Sequence, residues 1–177
     1  MKSFGFLRDE MVVRNIVARG VRDELVLDAM RKVPRELFLP QKLREFAYED
    51  SSLPIAGEQT ISQPYIVAFM AEALLLKGGE KILEIGAGSG YAAAVLSEIV
   101  AQVYTVERLG RHIGRSRLRQ RSRLACRWHT RWPEHAPYDA IVVAAGGPQV
   151  PESLKAQLKI GGRLVIPVGA DQRVRSG

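Results

Sequence analysis

The chain holds a single cysteine, Cys126, among its 177 residues. One thiol excludes an internal disulfide and a cysteine-rich metal site. Cys126, His112 and His129 also follow no familiar metal-ligand spacing. No apolar run approaches the length needed to cross a bilayer. The first ten residues lack the apolar stretch of an export signal and soon meet Arg8, Asp9 and Glu10. These absences predict a cytoplasmic protein with no membrane segment. No Gly-Lys-Ser or Gly-Lys-Thr is present, which excludes a Walker-type phosphate cradle. A Ser-His-Asp or Cys-His constellation is equally absent.

Positive charge is abundant but confined. The net charge of +7 comes from 26 Lys and Arg against 19 Asp and Glu. Eight arginines and no acid lie between Gly110 and Arg131; without them 18 cations face 19 acids, a net of −1. The basic footprint of a nucleic-acid enzyme would extend over the whole surface. Here it belongs to one segment of an otherwise neutral chain. Apolar content of 46% and charged content of 25% suit a globular domain with a substantial core.

Two halves differ in pattern. Residues 1–79 read as helical. Asp23 is placed to cap a helix carrying Leu25, Val26, Ala29 and Met30 that stops before Pro34. Ala47 to Gln63 reads as mostly irregular, and Pro64 opens a helix with Ile66, Val67, Met70, Ala71, Leu74 and Leu75 on one face. From residue 80 strand and helix alternate: strands 82–85, 103–106, 139–144 and 163–168, with helices 91–100 and from Pro151 to Gly161-Gly162. Such alternation predicts a Rossmann-like, doubly wound α/β domain with a mainly parallel sheet, preceded by an N-terminal helical extension. No linker divides it, so residues 1–177 are expected to form one domain.

The chemistry concentrates in Lys81-Ile-Leu-Glu-Ile-Gly-Ala-Gly-Ser-Gly-Tyr91. An apolar strand carries the acid Glu84 near its end, and Gly86, Gly88 and Gly90 turn the chain into a helix. The G-x-G-x-G spacing is not the G-x-G-x-x-G of dinucleotide sites. An acid at the strand end would repel a pyrophosphate, whereas a cationic, phosphate-free nucleoside suits it. S-adenosylmethionine is such a nucleoside. Glu107 closes the next strand, 21 residues after Gly86, where a Rossmann-like fold places the acid that holds a ribose.

Further segments narrow the class. Arg19-Gly20, Val33-Pro-Arg-Glu36, Leu53-Pro-Ile55, Gln59-Thr-Ile-Ser-Gln-Pro64, the glycine loop, Val103 to Arg108, Pro137-Tyr-Asp139 and Gly161 to Gly169 together resemble the protein-L-isoaspartate (D-aspartate) O-methyltransferase family. The segment Thr60-Ile61-Ser62-Gln63-Pro64 is the specific one. The resemblance implies methyl transfer from S-adenosylmethionine to the α-carboxylate of isoaspartyl residues in damaged proteins, a repair reaction. It implies Ser62 as the active-site hydroxyl, with Thr60, Ile61, Glu84, Gly86, Gly88, Gly90, Glu107 and Arg108 around the cofactor. The substrates would be isoaspartyl proteins and peptides, met by a monomer without nucleic acid. From the residues alone, Ser62 or Gln63 reads equally well as a helix cap before Pro64. Asp139 is expected to serve structure rather than chemistry. Small residues at Ala144-Ala-Gly-Gly147 argue against a nucleobase amino-methyltransferase, which carries a polar-Pro-Pro-aromatic grip there.

Two departures stand out. The arginine-rich segment 110–131 lacks the family's Gly-Asp-Gly adenine turn, and its abrupt composition suggests a reading-frame excursion. An RNA-binding arm, or a catalytically impaired remnant of the family, is the alternative reading. The chain also ends at Gly177, soon after the strand at 163–168, which predicts a sheet lacking its last strands.

Overall fold

A computed structural model describes residues 2–55, 57, 59–107, 124–127, 132–144 and 150–167. The N-terminal part is helical, as its periodicity predicts. Helix α1 (Phe4–Met11) runs on through a π turn (Val12–Ile16) and a 3-10 turn (Val17–Arg19), then halts at Gly20, where φ is +101°. Helix α2 (Glu24–Lys32) starts where Asp23 accepts hydrogen bonds from the backbone N–H groups of Leu25 and Val26, at 2.9 and 3.3 Å. A carboxylate there satisfies donors that the first turn leaves unpaired. The buried face is Val26, Leu27, Ala29 and Met30. Leu25, expected inside, is 45% exposed because it lies at the flank of that face.

Strands β1 (Leu53–Pro54) and β2 (Thr60–Ile61) form a short antiparallel hairpin within the stretch that reads as irregular. Helix α3 (Pro64–Ala73) follows, with proline in its first turn. It buries Val67, Ala68 and Ala71, and Leu74 packs just beyond its end. Leu75 departs from the expected face: the helix has ended, φ is +50°, and the side chain is 52% exposed.

The second half forms five parallel strands: β3 (Lys81–Ile85), β4 (Gln102–Val106), β5 (Leu124–Arg127), β6 (Tyr138–Val143) and β7 (Leu158–Val165). Their order is β5-β4-β3-β6-β7. Helix α4 (Tyr91–Ile99) connects β3 to β4, and α5 (Glu152–Lys155) precedes β7. The chain therefore winds outward from β3 in one direction and returns to its other side with β6. That reversal opens a crevice at the carboxyl ends of β3, β4 and β6, where doubly wound sheets bind ligands. Side chains alternate across the sheet. Ile82, Val103, Ala140 and Val142 join the core beneath α2, α3 and α4; Leu83, Val106, Ile141 and Val143 fill the opposite face.

Two elements differ from the sequence expectation. Strand β5 lies within the arginine-rich segment, where no strand is legible; its backbone pairs with β4 from Val103–Leu124 to Val106–Arg127. And Gly161-Gly162 does not end a helix. Helix α5 closes at Lys155, and both glycines sit inside β7 at a register shift, where Tyr138 pairs with Leu158 but Ala140 pairs with Arg163. Gly161 has φ +80°, and a Cβ on Gly162 would lie 2.8 Å from the carbonyl oxygen of Lys159 and 2.9 Å from that of Asp139. The glycines are the bulge. Asp139 itself accepts the backbone N–H of Lys81 at 2.9 Å and Nζ of Lys159 at 3.1 Å, tying β3, β6 and β7 together. The first of these bonds is the main reason its carboxyl stays below its usual range. Among the described residues no helix is long and apolar enough to cross a membrane.

Candidate active site

The loop after β3 folds back over the end of β4. Gly86, Gly88 and Gly90 take φ values of +92°, +50° and +80°, a run that residues with a Cβ rarely adopt. The loop's donors are turned inward. The N–H groups of Gly86 and Ala87 both donate to the Val106 carbonyl, at 2.8 and 3.2 Å. Gly90 N–H donates to Ala87 O, Tyr91 N–H to Ser89 Oγ, and Gly88 N–H to Glu107 Oε2 at 2.8 Å. A phosphate-binding loop works by aiming free N–H groups at its ligand. With five of them engaged inside the protein, this loop has few donors left for a phosphate, in agreement with its glycine spacing.

Glu84 stands in register with Thr105, its partner residue on β4. Only 1% of Glu84 is exposed, and Thr105 Oγ1 donates to its Oε2 at 2.5 Å. Burial pushes its carboxyl from 4.5 up to about 7; the threonine hydrogen bond opposes that rise, and the charge of Glu107 adds to it. Glu107 is buried as well and anchors the loop through Gly88. A pair of buried acids with a donor-poor loop between them favours a ligand that brings cationic and hydroxyl groups. This donor set fits an ammonium-bearing, phosphate-free nucleoside, and so fits S-adenosylmethionine.

Glu84 shares a small cavity, about 30 Å³, with Ser62. The other walls are apolar: Val67 and Met70 from α3, Ala92 and Leu96 from α4, and Val142 from β6. The space admits a water-sized group. Ser62 is half-buried at the end of the hairpin, just before α3. The cap reading of this segment is not what forms: Gln63 occupies the cap position of α3 without a side-chain cap bond. Its Nε2 donates instead to Asp50 O at 2.9 Å. Thr60 is exposed and Ile61 buried, and the Thr60 carbonyl lies 4.0 Å from where a Cβ on Gly88 would sit. Hairpin and glycine loop are thus neighbours. The structure brings Ser62, Thr60, Glu84, Gly88 and Glu107 to one crevice. Arg108, and Ala145 to Gly147 of the small-residue stretch, fall outside the described residues.

Two groups on no sequence-based roster support this arrangement. Thr105 is one; its signal was a hydroxyl in an apolar strand two residues before Glu107. Arg35 is the other, a fully buried guanidinium. Its Nε donates to Ala47 O at 2.8 Å, and its charge lies 5.0 Å from the centre of the Tyr91 ring. It joins the segment leading to the hairpin with the helix leaving the glycine loop. Burial holds its pKa below the usual arginine value.

Comparison with known proteins agrees with this fold. The family model described as protein-L-isoaspartate(D-aspartate) O-methyltransferase matches residues 7–176. Protein-L-isoaspartate O-methyltransferase 1 of Rhodopseudomonas palustris strain HaA2 is 59% identical over 182 residues, covering 96% of this chain and 72% of that protein. A relative from strain CGA009 is 64% identical over 172 residues, covering 93% and 79%. A solved protein-L-isoaspartate O-methyltransferase superposes with a TM-score of 0.79 at 32% identity, over 91% of this chain and 55% of that one. A Plasmodium falciparum structure described as a protein-L-isoaspartate O-methyltransferase, in complex with S-adenosyl-L-homocysteine, gives a TM-score of 0.79 over 93% of this chain and 85% of that one. At 23% identity it speaks for the fold.

Proposed function

Because this chain belongs to the protein-L-isoaspartate(D-aspartate) O-methyltransferase family, we propose that it methylates the α-carboxyl group of L-isoaspartyl and D-aspartyl residues in damaged proteins. S-adenosylmethionine, when bound, supplies the methyl group and a sulfonium leaving group. The chain's own residues supply position and charge. Glu84 holds the ammonium end of the cofactor, and Glu107 holds the ribose hydroxyls from beneath the loop. Thr60 and Ile61 border the cofactor, as does Arg108 beyond Glu107, and Gly86, Gly88 and Gly90 let it approach the backbone. Ser62 donates its hydroxyl to the carboxylate being methylated.

No general base enters this account. A substrate carboxylate with a pKa near ~4 is already ionised at neutral pH, so alignment and exclusion of water are what remain. The observation that carries the reading is the shared cavity of Ser62 and Glu84 beside a loop with five N–H groups engaged inside the protein. The two residues come from separate parts of the sequence, and each meets the other only through the fold. Residues 1–177 are read as one methyltransferase domain, with 1–79 on the substrate side and 80–177 on the cofactor side. It acts as a cytoplasmic monomer without nucleic acid; outside the arginine-rich segment its charge is −1. The family match runs through that segment and lends nothing to the remnant or RNA-binding alternatives.

The test is calorimetric titration with S-adenosylhomocysteine, followed by methylation of an isoaspartyl peptide with its aspartyl isomer as control. Micromolar binding together with methylation of the isoaspartyl form alone is expected. Absence of binding by folded protein would overturn the proposal.

A further inference from the structure

Glu84 sits in a place where a carboxylate ionises reluctantly, yet the proposed function needs it charged. Among the described residues, the groups around it offer little help. From α3, α4 and β6 its cavity receives Met70, Ala71, Ala92, Leu96 and Val142, none of them charged. Ser62 contributes a neutral hydroxyl. Just past the end of β4 lies Glu107, whose negative charge opposes a second one nearby. The hydrogen bond from Thr105 at 2.5 Å favours the charged form instead.

We infer that Thr105 is a positioning residue for cofactor capture, its hydroxyl holding the Glu84 carboxylate ionised and oriented toward the cofactor's ammonium group, so that binding is coupled to loss of a proton from Glu84. The inference rests on the cofactor role given to Glu84 above. The proton balance is simple. In the free protein near neutral pH, Glu84 is partly a neutral acid. An ammonium group docking against it favours the carboxylate, and the proton leaves to solvent. Up to about pH 8 the ligand is already cationic at its amino group and takes up none.

Titration with S-adenosylhomocysteine in two buffers of different ionisation enthalpy counts that proton. At pH 7 the intact chain should release about half a proton per site, falling to about a tenth by pH 8. Thr105→Val keeps the β-branched shape and removes the hydroxyl. It should weaken binding at pH 7 by about fivefold or more, release more of a proton there, and differ less in affinity from the intact chain at pH 8. Thr105→Ser should restore the original profile, and Glu84→Gln should abolish proton release. A purely structural role for Thr105 would instead lower affinity equally at every pH, and that result overturns the inference. Unchanged binding by Thr105→Val overturns it too. Should the valine variant fail to fold, the intact chain decides alone: no buffer dependence between pH 6 and pH 8 refutes the coupling. If the intact chain binds no S-adenosylhomocysteine at any pH, the proposed function fails before Thr105 comes into question.

Discussion

Replacing Glu84 with glutamine should make the ligand-free protein more stable at alkaline pH while impairing its function. In the folded chain burial keeps the Glu84 carboxyl protonated up to about pH 7, against an ordinary value of 4.5. The unfolded chain releases that proton near 4.5. Between these two values the folded state therefore binds more protons than the unfolded state, and stability falls as pH rises. Each pH unit of separation is worth about 1.4 kcal/mol, so the interval from 4.5 to about 7 amounts to roughly 3 kcal/mol. That penalty is absent below pH 4.5 and fully developed above pH 7. Glutamine is nearly isosteric, has no charge to desolvate, and can still offer its oxygen to Thr105. Urea unfolding of both proteins at pH 5 and pH 8 isolates the effect, because every other titrating group cancels in the comparison. The stability gained by Glu84→Gln should be larger at pH 8 than at pH 5 by about 2–3 kcal/mol. In a domain of this size that corresponds to a difference of roughly 5–10 °C in melting temperature. Parallel stability-against-pH curves for the two proteins would refute the reasoning, since Glu84 would then titrate alike folded and unfolded.

Three other perturbations follow from the geometry. Ser62→Ala should lower kcat/KM for an isoaspartyl peptide by roughly 10–100-fold, the loss of one hydrogen bond to a charged group, while calorimetric affinity for S-adenosylhomocysteine stays within about twofold; equal loss of both would remove Ser62 from the chemistry. Gly162→Ala forces a Cβ to within 2.9 Å of two backbone carbonyl oxygens that cannot turn aside. It should cost about 1–3 kcal/mol in urea unfolding, and a change under about 0.5 kcal/mol would mean the bulge relaxes freely. Asp23→Ala leaves the first-turn N–H groups of α2 without their acceptor and should cost about 1 kcal/mol, read as a lower urea midpoint with unchanged slope.

What the sequence made legible is what chemistry makes local. The Asp23 cap and its helix, the strand carrying Glu84, the glycine turn and the acid at Glu107 each occupy a few consecutive residues whose spacing has one physical meaning. The structure places them accordingly. What stayed hidden depends on partners distant in the chain. Gly161-Gly162 reads as a helix stop because two glycines interrupt any element; only the approach of the Asp139 carbonyl reveals a bulge. Strand β5 is invisible because alternating arginines mask its pattern, and its backbone is specified by the neighbouring edge of β4. Thr105 looks like one more β-branched strand residue until register sets it beside Glu84. Arg35 looks like a surface cation, yet the fold encloses it.

The inward-turned donors of the glycine loop have a consequence for life among other nucleotides. ATP and the dinucleotide cofactors carry the same adenosine unit as S-adenosylmethionine, so an adenosine pocket alone would be open to all of them. Here the loop offers them little hold: the N–H groups of Gly86, Ala87, Gly88, Gly90 and Tyr91 are satisfied by Val106, Glu107, Ala87 and Ser89 before any ligand arrives. A phosphorylated competitor would have to shed water from its oxygens without replacement, beside buried acids of its own sign. Discrimination against phosphates thus rests on interactions completed during folding.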